Sequence, residues 1–135
     1  MSEFRSYKIE DAAGVGKFLA VVQGSVAGAC KKPAAADEGK CLGISQEDQL
    51  TQNRSVNVRK NGISFGVAGA AIAVGDAVGI AGNTGKLKSV QTDMAAAPGT
   101  AKVVNVVGYA ETAAAADGDI FELEIQRFTV KTAAS

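Results

Sequence analysis

The sequence predicts an all-β protein: a small antiparallel β-barrel or sandwich with an internal pseudo-duplication and an extended N-terminal arm. Three observations lead there. Apolar runs are short and are separated by Gly-containing turns at roughly ten-residue spacing, the rhythm of small barrels and sandwiches. No long stretch carries the period of an amphipathic helix. Finally, one strand plan occurs twice. Leu42-Gly43-Ile44-Ser45 is followed, thirteen residues past its glycine, by an alternating pattern from Val56; Val107-Gly108-Tyr109-Ala110 is followed at the same distance by one from Phe121. A duplicated plan points to a pseudo-symmetric β module, a shape that usually binds or builds rather than catalyses.

Residues 2–16 are polar and weakly periodic and read as the arm. The apolar run 17–23 is a strand closed by a turn over Gly24–Gly28, and short strands follow near 29–32 and 40–45. A charged and amide-rich link occupies 47–54. Asn61-Gly62 is the strongest hairpin signal, because both residues tolerate positive φ. With that turn, Val58 would face Phe65 and Val56 would face Val67 on an apolar side, leaving Asn57, Arg59 and Ser64 on a polar one. In the second half, a Gly75-Asp76 turn leads to a strand at 77–81, and a loop at 82–85 returns into 86–90, setting Ile80 opposite Leu87. Residues 91–100 read as a loop with a turn of helix ended by Pro98. Valines on both faces of 102–110 mark a central strand, and 119–127 closes the fold with Phe121, Leu123 and Ile125 inside and Glu122, Glu124 and Gln126 outside. The outline is an arm over 1–16, one β domain over 17–128 with repeats at about 17–67 and 72–128, and a loose tail over 129–135.

At 135 residues one domain is expected, large enough for a core, yet the 47% hydrophobic content is rich in alanine and aromatics are only 5%. Such a core is thin, which favours oligomerisation or docking. Fourteen basic and fourteen acidic residues cancel, so no basic field is available to gather nucleic acid. No apolar run is long enough for a membrane span, and the N-terminus lacks the apolar core of a signal peptide.

The absence of histidine removes the commonest general base and the triads built on it. Glu122 and Glu124 point the same way as a carboxylate pair would, but read as a solvated strand face. Gly79–Lys86 has five residues between its glycines and Leu87 after the lysine, so it fails as a phosphate loop and reads as a hairpin turn. Gly14-Val15-Gly16 lacks the third glycine of a dinucleotide fingerprint. With no tryptophan and two tyrosines, aromatic platforms for carbohydrate are scarce. Cys30 and Cys41 bracket a short loop; they are either two small buried or half-buried side chains or a disulfide formed in an oxidising exterior. Two thiols without histidine do not complete a zinc shell, so no metal is expected. No enzyme activity and no cofactor are expected.

Ala-Val-Gly-Asp-Ala-Val at 73–78, a Gly-rich turn and lysine-bearing strand at 82–90, Val-Val-Gly-Tyr-Ala-Glu at 106–111 and Ala-Asp-Gly-Asp-Ile-Phe-Glu-Leu-Glu-Ile at 116–125 form a recognisable series. It resembles the small capsid decoration, or cement, proteins of tailed bacteriophages, which commonly carry a Gly-Asp-x-Val, then an (Ile/Val)-Gly followed closely by Ala and Glu, then an Ala/Gly-rich loop and a closing strand. The likeness spans about 17–127, with a more degraded copy in the first half; Tyr109 departs from it, where small residues are more usual. The resemblance implies a virion protein made in the host cytoplasm. It would bind the outer face of the expanded capsid, bridge major capsid subunits and resist the pressure of packaged DNA. It also implies a homo-oligomer, dimer or trimer, with no direct nucleic-acid or membrane partner. Under that reading Phe4, Arg5, Tyr7 and Lys8 of the arm are the candidate capsid contacts, with Phe4 and Tyr7 as anchors. The alternatives are another virion part, such as a tail or spike component, or a small β-barrel carrier or ligand-binding module of lipoyl type. For the last, Lys60 at a hairpin tip is the one candidate, and its neighbours Arg59 and Asn61 do not suit it.

Overall fold

The computed structural model describes residues 4–36, 39–91 and 102–132. They form ten strands: β1 (Phe4–Ile9), β2 (Ala20–Gln23), β3 (Ala29–Lys31), β4 (Cys41–Ser45), β5 (Ser55–Arg59), β6 (Gly62–Val67), β7 (Ala77–Ile80), β8 (Leu87–Ser89), β9 (Lys102–Ala110) and β10 (Ile120–Thr132). The first five close into a barrel in the order β1-β3-β2-β4-β5, with β5 returning to β1. The last five form a sheet in the order β6-β10-β9-β7-β8.

These two assemblies are the same object. Starting from β3, the barrel reads β3-β2-β4-β5-β1; starting from β8, the sheet reads β8-β7-β9-β10-β6, each strand five further along the chain. The registers agree as well. Val21 faces Gly43 as Val78 faces Gly108, and Gln23 faces Cys30 as Ile80 faces Leu87. An isolated antiparallel bridge, Val15 with Gln49, is repeated by Ile72 with Ala114. Even a turn hydrogen bond recurs: Phe18 N–H donates to the Ser45 carbonyl at 2.8 Å, and Gly75 N–H to the Ala110 carbonyl at 2.8 Å. Phe18 therefore stands where the second half uses a glycine, and both have left-handed backbones, φ +63° and +86°. The halves differ in closure. The parallel β1–β3 pairing that seals the barrel is reduced, in the second half, to one parallel bridge between Ala68 and Leu87.

The repeats meet between β5 and β6, so β1 opens the first unit and β6 opens the second, one strand earlier than the boundaries drawn on the sequence. Two expectations change with this. The N-terminal arm is extended, but it is paired on both sides, to β3 and β5. Asn61-Gly62 does bend the chain, with Gly62 at φ +84°, but it does not close a hairpin. β5 pairs with β1 and β4, whereas β6 crosses over to pair with β10. The face of β6 is also inverted: Ser64 and Gly66 point inward, and Ile63 and Phe65 outward. Side-chain volume explains the inversion. A Cβ added at Gly66 would lie 3.0 Å from Leu123 Cδ2 and 3.1 Å from Leu87 Cδ1, so only a minimal residue fits under those leucines. The equivalent pair in the barrel is Tyr7 opposite Val56, against Gly66 opposite Phe121. The large residue has changed strand while the pair keeps one large partner.

Among the described residues, three apolar clusters hold the fold. Tyr7, Ile9, Val21, Cys30, Val56 and Val58 fill the barrel. The largest cluster joins Phe121, Leu123, Ile80 and Leu87 to Val22 and Ile44 from the outer face of the barrel. β2 and β4 are thus buried on both faces, which welds the halves together. A third cluster lies on the other side of β9, where Val104 and Val106 pack with Phe128 and Tyr109. The expected tail from Thr129 continues β10 to Thr132, paired with Lys102–Asn105 of β9 beyond a bulge at 125–128. The helical turn expected before Pro98 and the last three residues lie outside the described residues.

Candidate interaction surface

The four candidate contacts all fall on β1, whose alternation separates them. Tyr7 is 5% exposed and part of the barrel core; its hydroxyl accepts a 2.8 Å hydrogen bond from Lys60 Nζ, which also lies 5.5 Å from the ring centroid. That burial removes Tyr7 as a surface anchor and engages the lysine considered for a carrier role. Phe4, 51% exposed, lies under the Arg59 guanidinium at 4.4 Å. Lys8 is exposed on the outside of the barrel, and Arg5 lines a shallow depression beside the 24–28 turn. That turn is tied down by Glu10, whose carboxylate accepts from the Ser25 hydroxyl at 2.6 Å and from its amide at 2.9 Å. The hydroxyl bond, followed by the amide bond, holds the Glu10 carboxyl below its ordinary range.

Cys30 and Cys41 are free thiols. They lie on adjacent rows of β3, β2 and β4 but point apart: Cys30 into the barrel, Cys41 against the core shared by the two halves. Side chains on opposite faces cannot bridge without moving backbone, so this fold resolves the two readings in favour of separate thiols. Burial pushes each thiol up to about 11, opposed at Cys41 by a hydrogen bond with the Gly43 backbone and by Arg127. Both stay protonated and unreactive at neutral pH. Among the described residues, no group of three or more His, Cys, Asp or Glu side chains is gathered.

The most distinctive surface lies where barrel and sheet meet. A groove of about 320 Å³ runs along β6, walled by Phe18 and Phe65, with Arg59 and Glu122 on its flanks. Phe18 and Phe65 pack with centroids 5.3 Å apart and ring planes tilted by 52°, and Lys17 Nζ sits 5.2 Å from the Phe18 ring. The Arg59 guanidinium donates to the Ile63 carbonyl, and Gln46 Nε2 donates to the Ser64 hydroxyl at 3.0 Å. The sequence reading missed this surface because it placed Phe65 and Val58 on one buried face. The parity of β6 was legible only as one of two options, and the assumed hairpin selected the wrong one.

A second feature is the ribbon of residues 102–105 and 129–132, which has no counterpart in the barrel, where β4 and β5 are five residues each. Thr129 Oγ1 and Asn105 Oδ1 approach to 2.8 Å across it, and Arg127 Nη1 donates to the Cys41 carbonyl at 2.9 Å, fastening the ribbon to the first half.

No family model matches the sequence, and no curated protein matches it. Among solved structures, the chain is similar to the crystal structure of the N base of head fiber gp8.5 in bacteriophage phi29, with a TM-score of 0.63 and 19% identity. The likeness covers 96% of this chain and 98% of that one, so the two proteins share one fold from end to end.

Proposed function

We propose that the protein is a structural component of a bacteriophage virion, seated on the outer face of the assembled head. More specifically, it acts as a decoration protein that binds the expanded capsid and stabilises it by bridging major capsid subunits. The observation that carries this reading is the end-to-end likeness of fold to the base of a phage head fiber. The sequence resemblance to capsid cement proteins points the same way through different residues. The chemistry suits it: the chain is neutral, has no histidine, and offers surface in place of a reaction centre. Repetition on a symmetric shell multiplies modest contacts into avidity. No catalysis and no cofactor belong to this role, and the partners are the major capsid protein and further copies of the chain. The head-fiber neighbour favours a second reading within the same class, in which the domain is the capsid-mounted base of a longer appendage.

The test is co-sedimentation of the purified protein with heads of the encoding phage prepared without it, in unexpanded and expanded forms. Saturable binding to expanded heads at a simple ratio to the major capsid protein is expected for decoration; a low copy number per head supports the appendage base. Absence of binding to either form would refute both. Removing residues 2–16 is not a usable control, because it deletes β1 and opens the barrel.

A further inference from the structure

We infer that the outward face of β6 and β10, together with the adjoining barrel rim, is the surface by which one copy of this chain binds another. Phe65 opposite Glu122 occupies the place that Ser6 opposite Asn57 holds in the barrel, and Ile63 opposite Glu124 the place of Phe4 opposite Arg59. The fold is therefore built when the first of these positions is polar; here Phe65 packs on Phe18 at a centroid distance of 5.3 Å and leaves the rest of its ring facing solvent. Ile63 and Phe65 are each 44% exposed, and Ile120, on the same outward side of β10, is 58% exposed. A contiguous apolar patch of this kind marks an interaction site.

The charges around the patch say what covers it. Crossing from β10 to the barrel, the surface passes from Glu122 and Glu124, which share the outward row of β10 with Ile120, through Phe65 and Ile63 on β6, to Phe18, Arg59 and Lys17. It reads acid, apolar, base. Rotated by half a turn and laid on itself, such a stripe sets apolar on apolar and each acidic edge against a basic one, the self-complementarity of an isologous contact. A partner of single-sign charge would match one edge and be repelled by the other. The left-handed backbone of Phe18, where the second half has Gly75, keeps an aromatic ring in the groove wall at a position that glycine would serve with less strain.

This inference does not depend on the capsid reading, and its test needs no capsid. Sedimentation equilibrium of the full chain is expected to show reversible self-association that weakens with added salt. Glu122→Lys with Glu124→Lys makes both edges basic, and Lys17→Glu with Arg59→Glu makes both acidic. Each variant alone should stay monomeric, whereas an equimolar mixture of the two should associate. Phe65→Ser, which leaves every charge in place, should weaken association by about tenfold or more; it also keeps the test decisive if substitution at Arg59 disturbs the fold. A wild-type chain that is monomeric at every concentration, or variants that self-associate as the wild type does, would overturn the inference.

Discussion

Alanine at residue 43 tests the duplication where it is most constrained. Gly43 on β4 and Gly108 on β9 are equivalent, and each lies against a carbonyl of the next strand. A Cβ added at Gly43 would stand 2.1 Å from the Arg59 oxygen, and one at Gly108 would stand 2.1 Å from the Glu124 oxygen. An ordinary carbon–oxygen approach is about 3.3 Å, so the strands must part by roughly 1 Å. In the barrel that strains the short β4–β5 ladder, Ile44 with Arg59 and Ser45 with Val58, whose hydrogen bonds contribute about 1 kcal/mol each. Gly43 also has φ +148°, in a region nearly reserved for glycine, worth a further cost of roughly 1 to 3 kcal/mol. Gly43→Ala should therefore destabilise by about 3 to 5 kcal/mol, lowering the melting temperature by roughly 10 to 17 °C for a chain of this length. Gly108→Ala meets the same clash in a longer ladder without the left-handed φ, and about 2 to 4 kcal/mol is expected. Two controls bracket the result. Gly75 has φ +86° with open space around it, so alanine there should cost about 1 to 2 kcal/mol from backbone handedness alone. Gly82 has open space and an ordinary φ, and alanine should be neutral or stabilising by up to about 1 kcal/mol. Urea unfolding of the four variants reads these values directly. If Gly43→Ala fell within about 1 kcal/mol of Gly82→Ala, the close-approach reasoning would be wrong.

Two more predictions follow from the core. Gly66→Ala should cost roughly 1 to 3 kcal/mol by crowding Leu123 and Leu87, and Phe121→Leu should cost a similar amount through the space it leaves. The double variant should lose clearly less than the two costs added together, because the same pairing is filled by Tyr7 and Val56 in the barrel; strict additivity in a double-mutant cycle would count against the packing argument. The thiols predict an alkaline effect. Their folded values of about 11 exceed the ordinary 9.0, so the protonated native state is favoured below pH 9 and the benefit is lost as pH rises through 11. Stability should fall over that window by roughly 2 to 3 kcal/mol per thiol, and a Cys30→Ala, Cys41→Ala variant should show a flatter profile in denaturant titrations at pH 8 and pH 10.5.

Much of the β plan was legible because it depends on local pattern. The alternation of Phe121, Leu123 and Ile125 against Glu122, Glu124 and Gln126 marks which face of β10 is buried, and the valines on both faces of residues 102–110 mark a strand with neighbours on each side; both are periodicities of one strand. The repeated glycines were visible for the same reason, since a strand that touches a neighbouring carbonyl admits no Cβ wherever it recurs. The candidate contacts were legible only as a segment. Alternation on β1 then divided them, leaving Phe4 at the surface and drawing Tyr7 into the barrel.

What the tertiary structure alone decided is partnership. Asn61-Gly62 encodes a bend in the chain but not the strand that the chain meets after it, and β6 met β10 instead of β5. Nothing in residues 4–9 announces that they seal a barrel, because their partners at 29–30 and 55–59 lie far along the chain. The same holds for the proposed interaction surface, whose acidic edge, apolar centre and basic rim come from β10, β6 and the residues just before β2 together with the end of β5. A sequence specifies its own turns and faces through neighbours one to four residues away; which faces meet is set by the fit of volumes and charges between segments, and those exist only once the chain has folded.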